Sequence, residues 1–223
     1  MFSKFRIGRI VPTIFVVLSV FSNALFAQKA TPKTSEVAEQ PIPVSYGLVI
    51  DNSGSYRLLL EKVIQLVGDI VEENKAEDET FLVTFVDSTK IVLRQDFTLR
   101  KSDLHDATEN MYIEGGLTAI LDAVNFSARH LAENARSESG RARVLVLVTD
   151  GDERASASNL DDVIKTLKDA NIKVFVVGIA DGKLYTKIID RLTKETGGTK
   201  YAPKTRAEIS VAVRELAAAI RRK

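Results

Sequence analysis

Three short polar clusters contain the side chains of this sequence that could do chemistry. They are Asp51-Asn52-Ser53-Gly54-Ser55, Gly115-Gly116-Leu117-Thr118 and Asp150-Gly151-Asp152-Glu153. In an extended segment, alternate residues point the same way, so Asp51, Ser53 and Ser55 can present one carboxylate and two hydroxyls together. Thr118 can add a third hydroxyl and Asp150 a second carboxylate. Such an all-oxygen set suits a hard divalent cation, which makes Mg²⁺ the predicted ligand.

Short apolar runs that alternate with longer amphipathic segments must position these clusters. The runs at 144–148 and 174–177 are apolar on both faces, which is typical of strands buried between two helical layers. We predict strands at 44–50, 80–85, 90–94, 143–149, 173–179 and 199–202. We predict helices at 56–73, 120–134, 160–169, 184–196 and 206–222, the first of them buried nearly all round.

The alternation of strands and helices predicts an α/β fold, a doubly wound and mostly parallel sheet with helices on both faces. The segment 90–94 follows its neighbour at hairpin distance, so we predict a short antiparallel edge strand there. Ligands of such sheets bind at the carboxyl ends of the strands, and all three clusters fall at that edge.

The same residue types also have a structural interpretation, because Ser, Asp and Gly are common in turns and at helix N-caps. We interpret Asp152 and Glu153 as solvated loop acids rather than ligands. His105 and His130 have no motif partner, and we interpret both as structural or surface residues.

The clusters resemble those of the von Willebrand factor type A (VWA) domain. Its metal-ion-dependent adhesion site, or MIDAS, is similar to Asp51–Ser55, with its threonine matching Thr118 and its second aspartate matching Asp150. The resemblance covers residues 42–222 and implies a Rossmann-like fold. It also implies that the hydroxyls contact Mg²⁺, with Mn²⁺ or Ca²⁺ as alternatives, and that the aspartates act directly or through water. The sequence departs from the family pattern at two positions. Many bacterial members have Met where this chain has Tyr56, and the threonine usually follows the glycine pair directly, whereas here Leu117 stands between the pair and Thr118.

Two carboxylates roughly balance a divalent cation, which leaves the ion able to attract another anionic oxygen. The resemblance implies that this oxygen comes from an exposed Asp or Glu of a partner protein. We therefore expect a metal-dependent protein-binding domain and not an enzyme. A metal-dependent hydrolase, or an assembly subunit whose site takes no ligand, are the alternatives. No dinucleotide-binding or nucleophile-elbow motif is present.

Composition excludes several other classes of function. The chain has 223 residues, no Cys and two His, which excludes thiolate metal sites, disulfides and multi-His metal sites. A formal net charge of +1 gives no indication of nucleic acid binding.

The N-terminus predicts export. Residues 1–9 carry three basic and no acidic side chains, an apolar run follows at 10–21, and the small residue Ala27 precedes a polar stretch. This pattern predicts a signal peptide at 1–27, with an uncleaved N-terminal anchor as the alternative. We interpret 28–41 as a flexible leader and 42–223 as the VWA domain. The mature protein is then expected to be periplasmic or secreted by a bacterium, with no membrane span after cleavage.

Overall fold

A central sheet of six strands organises residues 42–222, the part of the chain that the computed structural model describes. The strands are β1 (Val44–Asp51), β2 (Glu79–Phe85), β3 (Ile91–Thr98), β4 (Ala142–Thr149), β5 (Ile172–Gly178) and β6 (Lys200–Tyr201). Their order across the sheet is β3-β2-β1-β4-β5-β6. Only β2 and β3 pair antiparallel, and the other neighbours are parallel. The mostly parallel sheet and its antiparallel edge strand are therefore confirmed, although β3 is longer than predicted.

Strand β4 shows why its sequence is apolar on both faces. Val144, Val146 and Val148 lie in one hydrophobic core layer, whereas Leu145 and Leu147 lie in the other. Successive side chains of a strand point to opposite faces, so a strand covered on both sides needs apolar residues at every position.

Six helices cover the two faces of the sheet. They are α1 (Leu60–Glu72), α2 (Lys101–Glu109), α3 (Ile120–Asn134), α4 (Leu160–Asp169), α5 (Lys187–Thr196) and α6 (Arg206–Ala219). Helices α1, α2 and α6 contribute to one core layer, and α3, α4 and α5 contribute to the other. The predicted doubly wound arrangement is confirmed.

Helices α1 and α2 differ most from the sequence prediction, while α5 begins and α6 ends three residues inside the predicted ranges. A 3₁₀ turn at Gly54–Tyr56 precedes α1, which begins at Leu60, because the buried Tyr56 is held by its hydroxyl donating to the Ile179 carbonyl at 2.7 Å. Leu58 is 82% exposed, so the prediction of a segment buried nearly all round is wrong. Helix α2 was not predicted, because Leu104 is the single large apolar residue that its polar sequence buries.

The predictions for the N-terminal segment, a signal peptide at 1–27 and a leader at 28–41, lie outside the described residues. Within residues 42–222, no helix is both long and apolar enough to span a membrane.

Candidate metal centre

The carboxylate of Asp51 is buried and held in a fixed orientation at the end of β1. The backbone N–H of Ser53 donates to its Oδ1 at 3.0 Å, and the Thr149 hydroxyl donates to its Oδ2 at 2.8 Å. Asp51 is 1% exposed, and Thr149 ends the neighbouring strand β4. Two adjacent parallel strands therefore end together and fix both oxygens of this side chain.

Three hydroxyls meet beside this carboxylate. Ser53 Oγ lies 3.2 Å from Ser55 Oγ, and Thr118 Oγ1 donates to Ser53 Oγ at 3.1 Å. Ser53 and Thr118 are buried, whereas Ser55 is exposed. The predicted convergence of the first two clusters is confirmed. Leu117 does not carry Thr118 away from the cluster, because its own side chain projects outward and is 56% exposed.

The glycine pair before Thr118 explains how that residue reaches the first loop. Gly115 and Gly116 have φ values of +72° and +128°, which side chains rarely tolerate. A Cβ on Gly116 would lie 2.6 Å from the Val86 side chain. The N–H of Ala119 also donates to the Val86 carbonyl at 2.8 Å. The pair therefore lets the chain turn tightly over the end of β2.

Asp150 lies in an equally tight turn that follows β4. It is 8% exposed, and its Oδ1 accepts from the N–H of Asp152 at 3.0 Å. Gly151 has φ +80°, and a Cβ there would lie 1.9 Å from the Tyr185 carbonyl oxygen. Only glycine fits at that position. The third cluster thus reaches the same edge of the sheet as Asp51.

Two buried carboxylates, Asp51 and Asp150, dominate the electrostatics of the site. Burial raises the pKa of Asp51 from 3.8 to about 7, against hydrogen bonds from Ser53 and Thr149 that lower it, and the charge of Asp150 raises it further. Among the described residues, no Lys or Arg is one of the causes of this shift. Burial raises the pKa of the Tyr56 hydroxyl too, and both aspartates add to that effect.

The structural interpretation of the first cluster applies in part: Asp51 accepts from the N–H two residues on, as turn aspartates do, whereas Ser53 makes no side-chain capping bond to the 3₁₀ turn that follows it. Within residues 42–222, no group of three or more His, Asp or Glu side chains is arranged to hold a metal. The donor set found here contains two carboxylates, and its other oxygens are hydroxyls.

The third cluster contains two further acids, and one of them was misinterpreted. Glu153 is not a solvated loop acid: its Oε2 accepts from the N–H of Leu121 at 3.1 Å and from the Ser156 hydroxyl at 2.8 Å. A carboxylate at the first turn of α3 stabilises that helix end. Asp152 forms an ion pair with Arg154 and lines the same small cleft as the three hydroxyls.

Both histidines pair with acids of the surrounding surface. His105 lies 2.7 Å from Glu72, and His130 lies 2.9 Å from Asp96. This agrees with their interpretation as structural or surface residues.

Sequence reasoning missed two residues that shape the site. Thr149 had a signal, since it is the polar end of an otherwise apolar strand. Asn52 is buried, and its side-chain N–H donates to the Tyr112 carbonyl at 3.1 Å, which ties the first loop to the segment before the glycine pair. That contact joins residues 60 positions apart and leaves no local signal in the sequence.

A family model for the von Willebrand factor type A domain matches residues 47–212. The chain belongs to this family. Its fold is the one that the resemblance implied, and the family is one of protein-interaction and adhesion domains.

Three relatives illustrate how widely the domain occurs. The Mus musculus collagen alpha-6(VI) chain is 30% identical over 139 residues, which cover 59% of this chain and 6% of the collagen chain. An aerotolerance-related membrane protein from Bacteroides fragilis superimposes with a TM-score of 0.65 at 19% identity, covering 79% of this chain and 98% of that one. A pilus adhesin from Lactobacillus rhamnosus GG gives a TM-score of 0.60 at 14% identity, covering 80% of this chain and 30% of the adhesin chain. At these identities the two solved structures show the fold alone.

Proposed function

We propose that this domain is an exported, non-enzymatic interaction module that binds its partner through a divalent cation. The cation, Mg²⁺, is held by Asp51, Ser53, Ser55, Thr118 and Asp150, and an exposed Asp or Glu of the partner protein completes the site. The observation that carries the proposal is the meeting of the Ser55 and Thr118 hydroxyls at Ser53, each within 3.2 Å of Ser53 Oγ, beside the buried Asp51 carboxylate.

The residues present fit a hard cation. Burying carboxylates without a counter-charge is costly, and a divalent ion between Asp51 and Asp150 would offset that cost. The hydroxyls now bond to one another, but each oxygen has lone pairs suited to Mg²⁺. The bonds from Ser53 N–H and Thr149 to Asp51 would keep that side chain oriented as a ligand.

The shape of the site favours a protein partner over a small molecule. The hydroxyls open into a cleft of about 120 Å³, lined by Ser53, Ser55 and Thr118 among others. Sites that enclose small-molecule ligands are larger, roughly 300–1,000 Å³. A cation bound here would have one coordination position free for an anionic oxygen of another molecule. A cleft of this size accommodates the end of one acidic side chain, with the rest of the partner lying on the surface around it.

Within residues 42–222, the surroundings of the site offer no histidine base to the hydrolase alternative. A hydrolase needs a general base within hydrogen-bond reach of its nucleophile. In the described part of the chain, both histidines pair with surface acids and neither contacts Ser53 or Ser55.

Export is proposed from the sequence of residues 1–27, with its basic start and apolar run. Support comes from two of the structural relatives, which are described as a membrane protein and as a pilus adhesin.

The test is capture of a partner from a cell-envelope extract of the source organism by the immobilised protein. We expect a partner that is retained in Mg²⁺ and released by EDTA. Asp51→Ala should abolish the capture, because it removes one of two anionic ligands. Ser137→Ala, which changes an exposed loop serine, is the matched control and should capture normally. Equal capture in EDTA and in Mg²⁺ would refute the proposed role of the cation.

A further inference from the structure

One cationic side chain lies in the small cleft of the candidate metal centre and has no role in the function proposed above. Arg154 lines this cleft together with Ser53, Ser55, Thr118 and Asp152. Its side chain is 55% exposed, so it faces both the cleft and solvent. A cation-binding site gains nothing from a guanidinium beside it, since the two positive charges repel. Its presence there calls for another explanation.

The position of Arg154 is fixed through its backbone. Its N–H donates to the Thr118 carbonyl at 2.9 Å, and the N–H of Ala155 donates to the same oxygen at 3.0 Å. Thr118 is the residue whose hydroxyl meets Ser53. The backbone of Arg154 is therefore tied to the residue that carries one of the hydroxyls, and its side chain lines the cleft beside the cluster.

The guanidinium is only partly used within the domain. Its Nη2 atom pairs with Asp152 and the Tyr185 hydroxyl is a second partner, but a guanidinium has five N–H donors in a planar fork that matches a carboxylate. The side chains of Arg154 and Asp152 are 55% and 22% exposed, and exposed pairs of this kind contribute little to stability. Exchanging Asp152 for another carboxylate would therefore cost the fold little.

We infer that Arg154 is a second carboxylate-binding group of this site. One oxygen of the partner's Asp or Glu lies at the cation, and the other accepts from the Arg154 guanidinium, which releases Asp152. This inference rests on the proposed function and adds to it the group that orients the partner's side chain. Asp152 is then a competitor that occupies the guanidinium while no partner is bound.

Two substitutions should act in opposite directions. Arg154→Gln removes a contact to the partner's carboxylate and also removes a positive charge near the cation. Binding of a carboxylate should weaken, while the affinity for Mg²⁺ stays the same or rises. Asp152→Asn frees the guanidinium, so binding of a carboxylate should strengthen. General damage to the loop would instead weaken the binding of Mg²⁺ and of the carboxylate together.

The experiment uses a blocked peptide, acetyl-Gly-Asp-Gly-amide, and its Asn counterpart as probes. Binding to the full protein is followed by NMR titration in Mg²⁺ and in EDTA, and Mg²⁺ affinity is measured separately by calorimetry. Arg154→Gln should weaken binding of the Asp peptide about two- to fivefold, as expected for one partly exposed ionic contact. Arg214→Gln, which removes an exposed charge from α6, is the control and should change neither affinity.

The outcomes separate this inference from the proposed function. Wild-type binding that requires Mg²⁺ and is equally strong in Arg154→Gln would overturn the role of Arg154 alone. Binding that is absent from the wild type, or is the same in EDTA, would overturn the proposed function and this inference with it. Loss of Mg²⁺ affinity in Arg154→Gln would show that the residue supports the loop, and would also overturn the inference.

Discussion

Replacing Asp51 by Asn is expected to stabilise the cation-free domain at alkaline pH, although the residue is buried. Burial, with a contribution from Asp150, raises the pKa of Asp51 from 3.8 to about 7. Because the folded state holds this proton more tightly than the unfolded state, the associated stability is fully present below pH 4. It is lost as the pH rises toward 7. An asparagine stays neutral throughout and does not incur this loss.

The magnitude follows from the two pKa values. Each pKa unit corresponds to about 1.4 kcal/mol, so the change from 3.8 to about 7 makes ionised Asp51 destabilising by about 4 kcal/mol above pH 8. Asparagine cannot accept from Thr149 with its amide nitrogen as Oδ2 does, which costs about 1 kcal/mol. A net gain of about 2–3 kcal/mol remains, or roughly 4–12 °C in melting temperature for a domain of this size.

The assay is thermal unfolding in EDTA between pH 4 and pH 9. Asp51→Asn should melt above the wild type at pH 9, and near pH 4 the variant should be less stable by about 1 kcal/mol, the cost of the lost bond from Thr149. Glu109→Gln, at an exposed position of α2, is the control and should show no such trend. Added Mg²⁺ should raise the melting temperature of the wild type at pH 9 and leave that of Asp51→Asn unchanged. If Asp51→Asn were less stable than the wild type at every pH, the buried charge would not be destabilising and the reasoning would be wrong.

Three further predictions concern the ligands, the core and the N-terminus. Ser55→Ala and Thr118→Ala should each weaken Mg²⁺ binding about tenfold or more by calorimetry, with little change in melting in EDTA; unchanged Mg²⁺ affinity would remove these hydroxyls from the site. Arg221→Ala should destabilise by about 3–5 kcal/mol in urea unfolding, because it leaves the buried Asp78 without its ion pair, and a loss under 1 kcal/mol would contradict this. Sequencing of the protein from its native host should find Gln28 first, whereas an intact N-terminus in a membrane fraction would indicate the anchor.

The sequence predicts those parts of this domain whose signals are local. Strand β4 was found because both of its faces are buried, which makes the run apolar at every position. The start of α1 was misplaced because Tyr56 is held by a carbonyl 123 positions away, and no residue near Tyr56 indicates that contact. Helix α2 was missed because a mostly exposed helix needs few apolar residues.

In the candidate site too, features with a local sequence signal were predictable and features fixed by distant contacts were not. The spacing of Asp51, Ser53 and Ser55 is local, and their placement at a strand end was predictable. The role of Glu153 was not, because the helix that it caps begins 33 positions earlier in the chain, at Ile120. Its spacing to other acids therefore indicated only a polar loop. Contacts between loops that follow different strands form only when the sheet has assembled, and the residues adjacent in the chain do not reveal them.

The central place of β1 has a mechanical consequence. Asp51 ends this strand, and the chain before residue 42 enters at its other end. Tension between a partner held at the candidate site and that entry point runs along β1. The strand pairs with β2 from Ser45 to Asp51 and with β4 from Val44 to Ile50. Such a load shears both ladders lengthwise, so their hydrogen bonds must break together instead of one after another. The domain should resist pulling in this direction far better than a pull that peels an edge strand from the sheet.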